Sequence, residues 1–267
     1  IMSSDWSSDV CSSDLVRSDA RSPFGEGQLQ CEACHGPGGA HAGPIVAGLE
    51  RPPMPAYGPN AFWSVDRQND MCTACHLEQG HNFWDGGAHQ RYEVGCADCH
   101  NSHERRDPMS LAESQNAVCS DCHISQRAQT QYAYSHPMRH GEMACSDCHA
   151  PHGSPNEAML TDLNVNQNCY TCHADKRGPH LWEHAPVAED CTTCHQPHGS
   201  NNPGMLTQRP PLLCQSCHGR ESHVGIGITA DGLPGNNPSN LLLLDSCMNC
   251  HTQVHGSNHP SGRALAR

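Results

Sequence analysis

Cysteine and histidine are the residues of this chain whose spacing can do chemistry. Nine times, two cysteines stand two residues apart with a histidine directly after the second. The sets are Cys31, Cys34 and His35; Cys72, Cys75 and His76; Cys96, Cys99 and His100; Cys119, Cys122 and His123; Cys145, Cys148 and His149; Cys169, Cys172 and His173; Cys191, Cys194 and His195; Cys214, Cys217 and His218; and Cys247, Cys250 and His251. Together they use eighteen of the nineteen cysteines. Two thiols one helical turn apart can add to the two vinyl groups on one porphyrin edge, and the adjacent imidazole is then carried under the iron as its proximal ligand. The pattern predicts nine c-type haems, each an iron protoporphyrin held through two thioethers.

Cysteine pairs of this spacing also build zinc sites and thioredoxin-like redox sites. Zinc sites place no demand on the residue after the second cysteine. Redox pairs come singly, inside a βαβ unit. Neither use explains a histidine after all nine pairs.

The elements that position these groups have little apolar material to work with. Only 36% of residues are hydrophobic and 4% aromatic, with 24 Gly and 20 Pro, a composition close to that of disordered chains. The contradiction disappears if porphyrin is the core, since each macrocycle offers two broad apolar faces to bury. The predicted fold class is therefore a multihaem cytochrome c. It should be mainly irregular, with short α-helices and little or no β-sheet, in an elongated row of haems. A helical turn is expected at each attachment motif, and a longer helix around Met109 to Ser120. The formal charge of −13 argues against nucleic acid or an anionic membrane as partner. The longest apolar run, Leu241 to Leu244, is far too short to cross a bilayer.

Repetition supplies candidates for the second axial ligand. Three segments each open with a histidine seven to nine residues before a motif: His89, His136 and His184. Each then carries a histidine three residues past the proximal one, His103, His152 and His198, and closes with a second motif. Di-haem repeats are thus expected at about 89–135, 136–183 and 184–222. With two haems and two recurrent free histidines per repeat, bis-histidine coordination follows by counting. A histidine three residues past its own proximal ligand cannot easily reach the opposite porphyrin face, so His103, His152 and His198 should ligate a neighbouring haem. Outside the repeats His41, His223, His255 and His259 are the distal candidates, with the choice between His255 and His259 open. His81, His140 and His180 do not recur and are spares. Met109, Met159 and Met205 recur nine or ten residues after a proximal histidine and are read, like Trp63, Trp84 and Trp182, as packing against porphyrin.

Residues 1–17 differ from the rest. Ser-Ser-Asp recurs at 3–5, 7–9 and 12–14 around Trp6 and the odd Cys11, resembling translated adaptor sequence or a disordered polar arm. The multihaem domain is expected over 18–267. Covalent haem attachment of this kind is completed outside the bacterial inner membrane, so a leader is expected upstream. The stretches from His35 to Met71 and Gly225 to Asn240 are rich in Gly, Pro and Asn and read as long loops.

The sequence resembles the DmsE/MtrA-type decahaem c-type cytochromes. The resemblance rests on Cys31-Glu32-Ala33-Cys34-His35-Gly36-Pro37-Gly38-Gly39-Ala40-His41, on Trp182-Glu183-His184-Ala185-Pro186-Val187, on the two Cys-His-x-Pro-His-Gly-Ser copies and on His255-Gly256-Ser257-Asn258-His259-Pro260. Ten haems are usual in that family, so a tenth would have stood before Cys31. The resemblance implies a periplasmic electron carrier associated with the outer membrane and active in anaerobic respiration and extracellular electron transfer. Its partners would be an outer-membrane β-barrel porin, a periplasmic or inner-membrane quinol-linked cytochrome donor, and an extracellular reductase or multihaem cytochrome acceptor. The competing class is a multihaem nitrite, hydroxylamine or tetrathionate reductase. Such an enzyme needs one haem with an open position, often marked by Lys in place of the motif histidine, and all nine motifs end in His. Because porphyrin replaces the apolar core, the apoprotein is expected to be unfolded. A cooperative, near-native circular dichroism melt without haem would contradict this.

Overall fold

The computed structural model describes residues 32–44, 46–50, 52–76, 81–104, 106–218, 247–249, 251–260 and 262–265. Cys31, Cys250, His223, residues 1–17 and the loop from Gly225 lie outside the described residues.

The attachment motifs sit on short helical segments, most of them opened by a side chain that takes a free backbone donor. Helix α1 (Val65–Thr73) begins at Ser64, whose hydroxyl accepts from the Arg67 N–H at 3.4 Å. Helix α2 (Ala112–Cys122) and helix α3 (Ile124–Thr130) flank the fourth motif histidine, His123. Helix α4 (Val165–Tyr170) is capped by Asn164, which accepts from Gln167 at 2.9 Å. Elsewhere the turn is a single one. At Cys96–Cys99 the carboxylate of Asp98 reaches back to the Gly95 N–H at 2.7 Å, and at Cys145–Asp147 that of Asp147 accepts from Ala144 at 2.8 Å.

The helix expected around Met109 to Ser120 is displaced and divided. Pro108 starts a 3-10 turn (Pro108–Ser110) that Asp107 caps through the Met109 N–H at 2.7 Å. Leu111 then returns to an extended conformation before α2 begins, and α2 runs on through the second cysteine. Proline at a first helical position favours a fresh start over continuation.

No strand occurs among the described residues. Three isolated antiparallel bridges join Tyr134 to Ser200, Trp182 to Ser257 and His195 to Leu206. The chain folds as two compact units. One is the described part of Ile1–Cys122 together with Ala144–Pro155; the other is His123–Met143 with the described part of Asn156–Arg267. Among the described residues only Trp84 and Ala144 count as buried apolar side chains, and none is fully enclosed. Large apolar groups such as Phe62, Tyr92 and Leu163 are about as open as side chains become, at 79, 82 and 84%. Protein interiors of this length normally enclose a continuous apolar core.

Backbones approach closely where the repeated Pro-His-Gly-Ser segment turns. Gly153 and Gly199 hold φ of 104° and 135°, a region that glycine occupies readily. A Cβ there would stand 2.1 Å from the Phe83 carbonyl oxygen and 2.3 Å from that of Gln129. Gly199→Ala is therefore expected to lower the thermal midpoint of the haem-loaded protein, with backbone strain alone costing about 1–3 kcal/mol. Gly39→Ala, where nothing lies within 4 Å of the added carbon, should leave it unchanged or slightly raised. Equal midpoints for Gly199→Ala and the parent chain would refute the close-approach account.

Candidate haem-binding site

The described attachment motifs share one way of closing on themselves. In seven of them the histidine N–H donates to the carbonyl of the first cysteine, at 2.9 to 3.0 Å, in the motifs of His76, His100, His149, His173, His195, His218 and His251. This one-turn ring sets the two sulfurs on one side and sends the imidazole out beside them. Among the described residues no cysteine is in a disulfide.

Turns from successive motifs also meet. A hydrogen bond with Cys96, reinforced by burial, pushes the Cys72 thiol up, and the same bond pulls Cys96 down. Cys119 and Cys145 repeat this up-and-down pair. In the other unit burial and then Cys247 hold Cys214 up at about 11. Cys191 is raised by its burial, against a hydrogen bond with Cys169.

The imidazoles come together in pairs. Ring centroids are 5.8 Å apart for His35 and His103, 6.0 Å for His100 and His152, and 6.3 Å for His136 and His173. They are 6.1 Å apart both for His184 and His218 and for His195 and His255. Two imidazoles on opposite sides of one first-row metal ion, each nitrogen at about 2 Å, hold their centroids about 6 Å apart. Every one of the five pairs joins a motif histidine to a histidine outside the motifs.

One member of each pair is tied at Nδ1. His35 donates to the Pro55 carbonyl at 2.8 Å, His100 to the Asp107 carboxylate at 2.8 Å and His195 to the Gly204 carbonyl at 2.8 Å. His136 donates to Pro197 at 2.8 Å and His184 to Val254 at 2.9 Å. His41 bonds the Pro52 carbonyl and His89 that of Pro151, both at 2.8 Å, and His251 bonds that of Ala264. A proton fixed on Nδ1 leaves the Nε2 lone pair free and aims the ring, which is the standard arrangement around a metal-bound histidine. Burial, then the neighbouring His81, His100 and His89, hold His152 down at about 4, so it is neutral at physiological pH.

The remaining histidines sort differently. His81 lies 4.2 Å from His152, too close for an ion between the rings, and its buried Nδ1 has no hydrogen-bond partner. His180 packs against Gly256 with its Nε2 likewise unmatched. His140 is exposed, His259 is exposed near the end of the chain, and His198 is half-buried in the Pro-His-Gly-Ser turn. Between His255 and His259, backbone register sets His255 at the place that repeats that of His198. Trp182 and Ser257 exchange both hydrogen bonds as Tyr134 and Ser200 do, so His255 occupies the place of His198, and it is His255 that faces His195.

Sequence reasoning missed the groups that aim the rings. The carbonyls of Pro151, Pro197 and Val254 carry no side-chain signal, though the first two immediately precede the recurrent histidine. Met159 and Met205 both sit in a tight turn at positive φ, and the carbonyl before Met205 anchors His195. Asp107 had no counterpart at the same offset and was invisible to repeat counting.

These residues fit haem. The paired cysteines, the imidazoles at iron-spanning distance and the absence of an apolar interior among the described residues each meet one of its requirements. Known proteins agree. The family described as the doubled CXXCH motif matches at residues 89–128, 136–178 and 184–223. The multihaem cytochrome MtrA of Shewanella baltica is 47% identical over 241 residues, 90% of this chain and 71% of that protein. The cytochrome c-type protein NrfB of Escherichia coli is 30% identical over 39% of this chain and 54% of its own length. NrfB of Haemophilus influenzae is 27% identical over 41% and 50%. The chain binds c-type haem, transfers electrons rather than catalysing a reaction, and belongs to the MtrA family of multihaem cytochromes.

Proposed function

We propose that the chain holds nine haems, all with two histidine ligands, and relays electrons through them. The reading is carried by the five imidazole pairs separated by 5.8 to 6.3 Å, each with one ring tied at Nδ1. When bound, haem supplies one-electron exchange, a ferrous iron being oxidised as a ferric neighbour is reduced. The protein's own residues do the rest. The cysteines tether, the motif histidines ligate from one side, and His103, His152, His136, His184 and His255 ligate from the other. His89 and His198 hold the same positions in the repeats as these ligands. His41, His223 and His259 are the candidates for the haems outside the repeats.

The pairs have a regular offset. His103, His152 and His255 each face the motif histidine two motifs back, whereas His136 and His184 each serve the second motif of their own repeat. Ligands therefore interlock neighbouring repeats, and the di-haem segments at 89–135, 136–183 and 184–222 are units of sequence rather than separate folding blocks. Two imidazoles on an iron leave no position for substrate, and without a methionine ligand the potentials should be low. Both properties suit anaerobic respiration. The proposed setting is the periplasm beside an outer-membrane β-barrel porin. Electrons would arrive from a quinol-linked cytochrome donor and leave to an extracellular reductase or multihaem cytochrome.

Purified protein is expected to carry nine irons per chain, all low-spin by electron paramagnetic resonance. Far fewer irons, or a stoichiometric high-spin ferric signal that binds carbon monoxide, would overturn the reading. His255→Ala should convert a single haem to the high-spin, carbon monoxide-binding form and leave the others unaltered. His140→Ala should change nothing in either spectrum, and a high-spin signal there would show that the ligand set is wrong.

A further inference from the structure

Asparagine stands three residues before the first cysteine of the second, fourth and sixth motifs, at Asn69, Asn116 and Asn166. The other motifs carry Gln28, Glu93, Glu142, Ala188, Pro211 and Leu244 at that place. The three asparagines do not cap their own turns. Each reaches across to the next motif, where its Oδ1 accepts the backbone N–H of the first cysteine: Cys96 at 2.8 Å, Cys145 at 2.9 Å and Cys191 at 2.8 Å. Two of them also give their amide protons to carbonyls just upstream of that turn. Asn69 donates to Val94 at 3.3 Å, and Asn166 to Val187 at 2.9 Å and Ala188 at 3.1 Å. In the third case Gln115 adds a bond to Ser146 at 3.2 Å. Asn69 and Asn166 are among the few buried side chains of the described residues, at 4 and 6%.

A first-turn N–H has no partner within its own helix, so an amide delivered from a neighbouring turn both satisfies it and fixes where that turn sits. Here the two turns joined are haem-attachment turns, and their leading cysteines lie against each other. We infer that Asn69, Asn116 and Asn166 are positioning residues: amide clasps that join the second attachment turn to the third, the fourth to the fifth and the sixth to the seventh, and so set the separation of haems carried on consecutive motifs. This rests on the haem-relay reading above. One electron passes between such haems with no bond made or broken, and the rate falls steeply with the gap between porphyrin edges. The eighth and ninth motifs also have neighbouring sulfurs but carry Pro211 where a clasp would stand.

Gln68 supplies an internal control. It is the residue before Asn69 on α1 and as deeply buried, at 3%. Its amide holds Gly58 and the Trp63 carbonyl, at 2.8 and 2.9 Å, and touches no second motif. The test uses the haem-loaded full chain, with interhaem exchange read from the scan-rate dependence of protein-film voltammetry. Iron content and spin state are measured alongside. Asn69→Ala, Asn116→Ala and Asn166→Ala combined are expected to keep full iron and low spin yet exchange electrons severalfold more slowly. Asn69→Asp, which keeps the acceptor for Cys96, should recover most of the rate lost by Asn69→Ala. Gln68→Ala should not slow exchange even if its thermal midpoint falls. Parent-like exchange in the fully loaded triple variant, or equal slowing by Gln68→Ala and Asn69→Ala, would overturn the clasp. Should the triple variant fail to mature, Asn69→Ser, whose hydroxyl is too short to reach Cys96, decides by the same criterion. Iron deficiency or high-spin haem in the parent chain would instead count against the relay itself.

Discussion

A polypeptide whose described residues enclose only Trp84 and Ala144 as apolar side chains must draw its cohesion from somewhere other than its own interior. In this chain the source is haem, which under the proposed ligand set is tethered by the paired cysteines and held by imidazoles. Burying the macrocycle faces supplies the hydrophobic term that sequence composition lacks. The thioethers shorten the open chain much as disulfides do in small secreted domains. The sparse secondary structure follows from that constraint. Helices need be only long enough to present two sulfurs and an imidazole, and sheet has no apolar face to cover.

Aiming the imidazoles is a separate task, and the backbone performs it. Carbonyl oxygens of Pro55, Pro197, Gly204 and Val254 each accept from a histidine Nδ1, with Asp107 serving His100. Each of these bonds places a proton on Nδ1 and fixes the direction of the ring. Proline stands at two of these acceptor positions, where its ring holds φ fixed. The glycines that follow allow a second backbone to approach within contact of the turn. One short segment, Pro-His-Gly-Ser, therefore provides an acceptor for one ring, the next ligand itself and the room to fold it over.

The proposed ligand pairs run across the repeats of the sequence. His152 belongs by sequence to the fifth motif and stands against His100 of the third. His255 belongs to the ninth and stands against His195 of the seventh. If these histidines are ligands as proposed, removing one repeat would strip a ligand from another. Cooperativity of this kind, in which neighbours complete each other's core, is the rule in repeat proteins, and in the proposed ligand set it would be carried by coordination positions in place of apolar contacts.

The sequence by itself determined that the chain binds c-type haem and what its fold class is, because covalent chemistry demands fixed residue types at fixed local spacing. It also determined which histidines outside the motifs recur, since recurrence is a one-dimensional property. Pairing was beyond it. That His103 faces His35, that His255 and not His259 faces His195, and that α2 starts after Leu111 and runs through Cys122 were decided by the tertiary structure, where backbone hydrogen bonds bring together residues dozens to scores of positions apart. Asn69, Asn116 and Asn166 fall between the two. Their spacing is written in the sequence, but an asparagine before a motif reads as a local cap until the fold shows its amide reaching the next one.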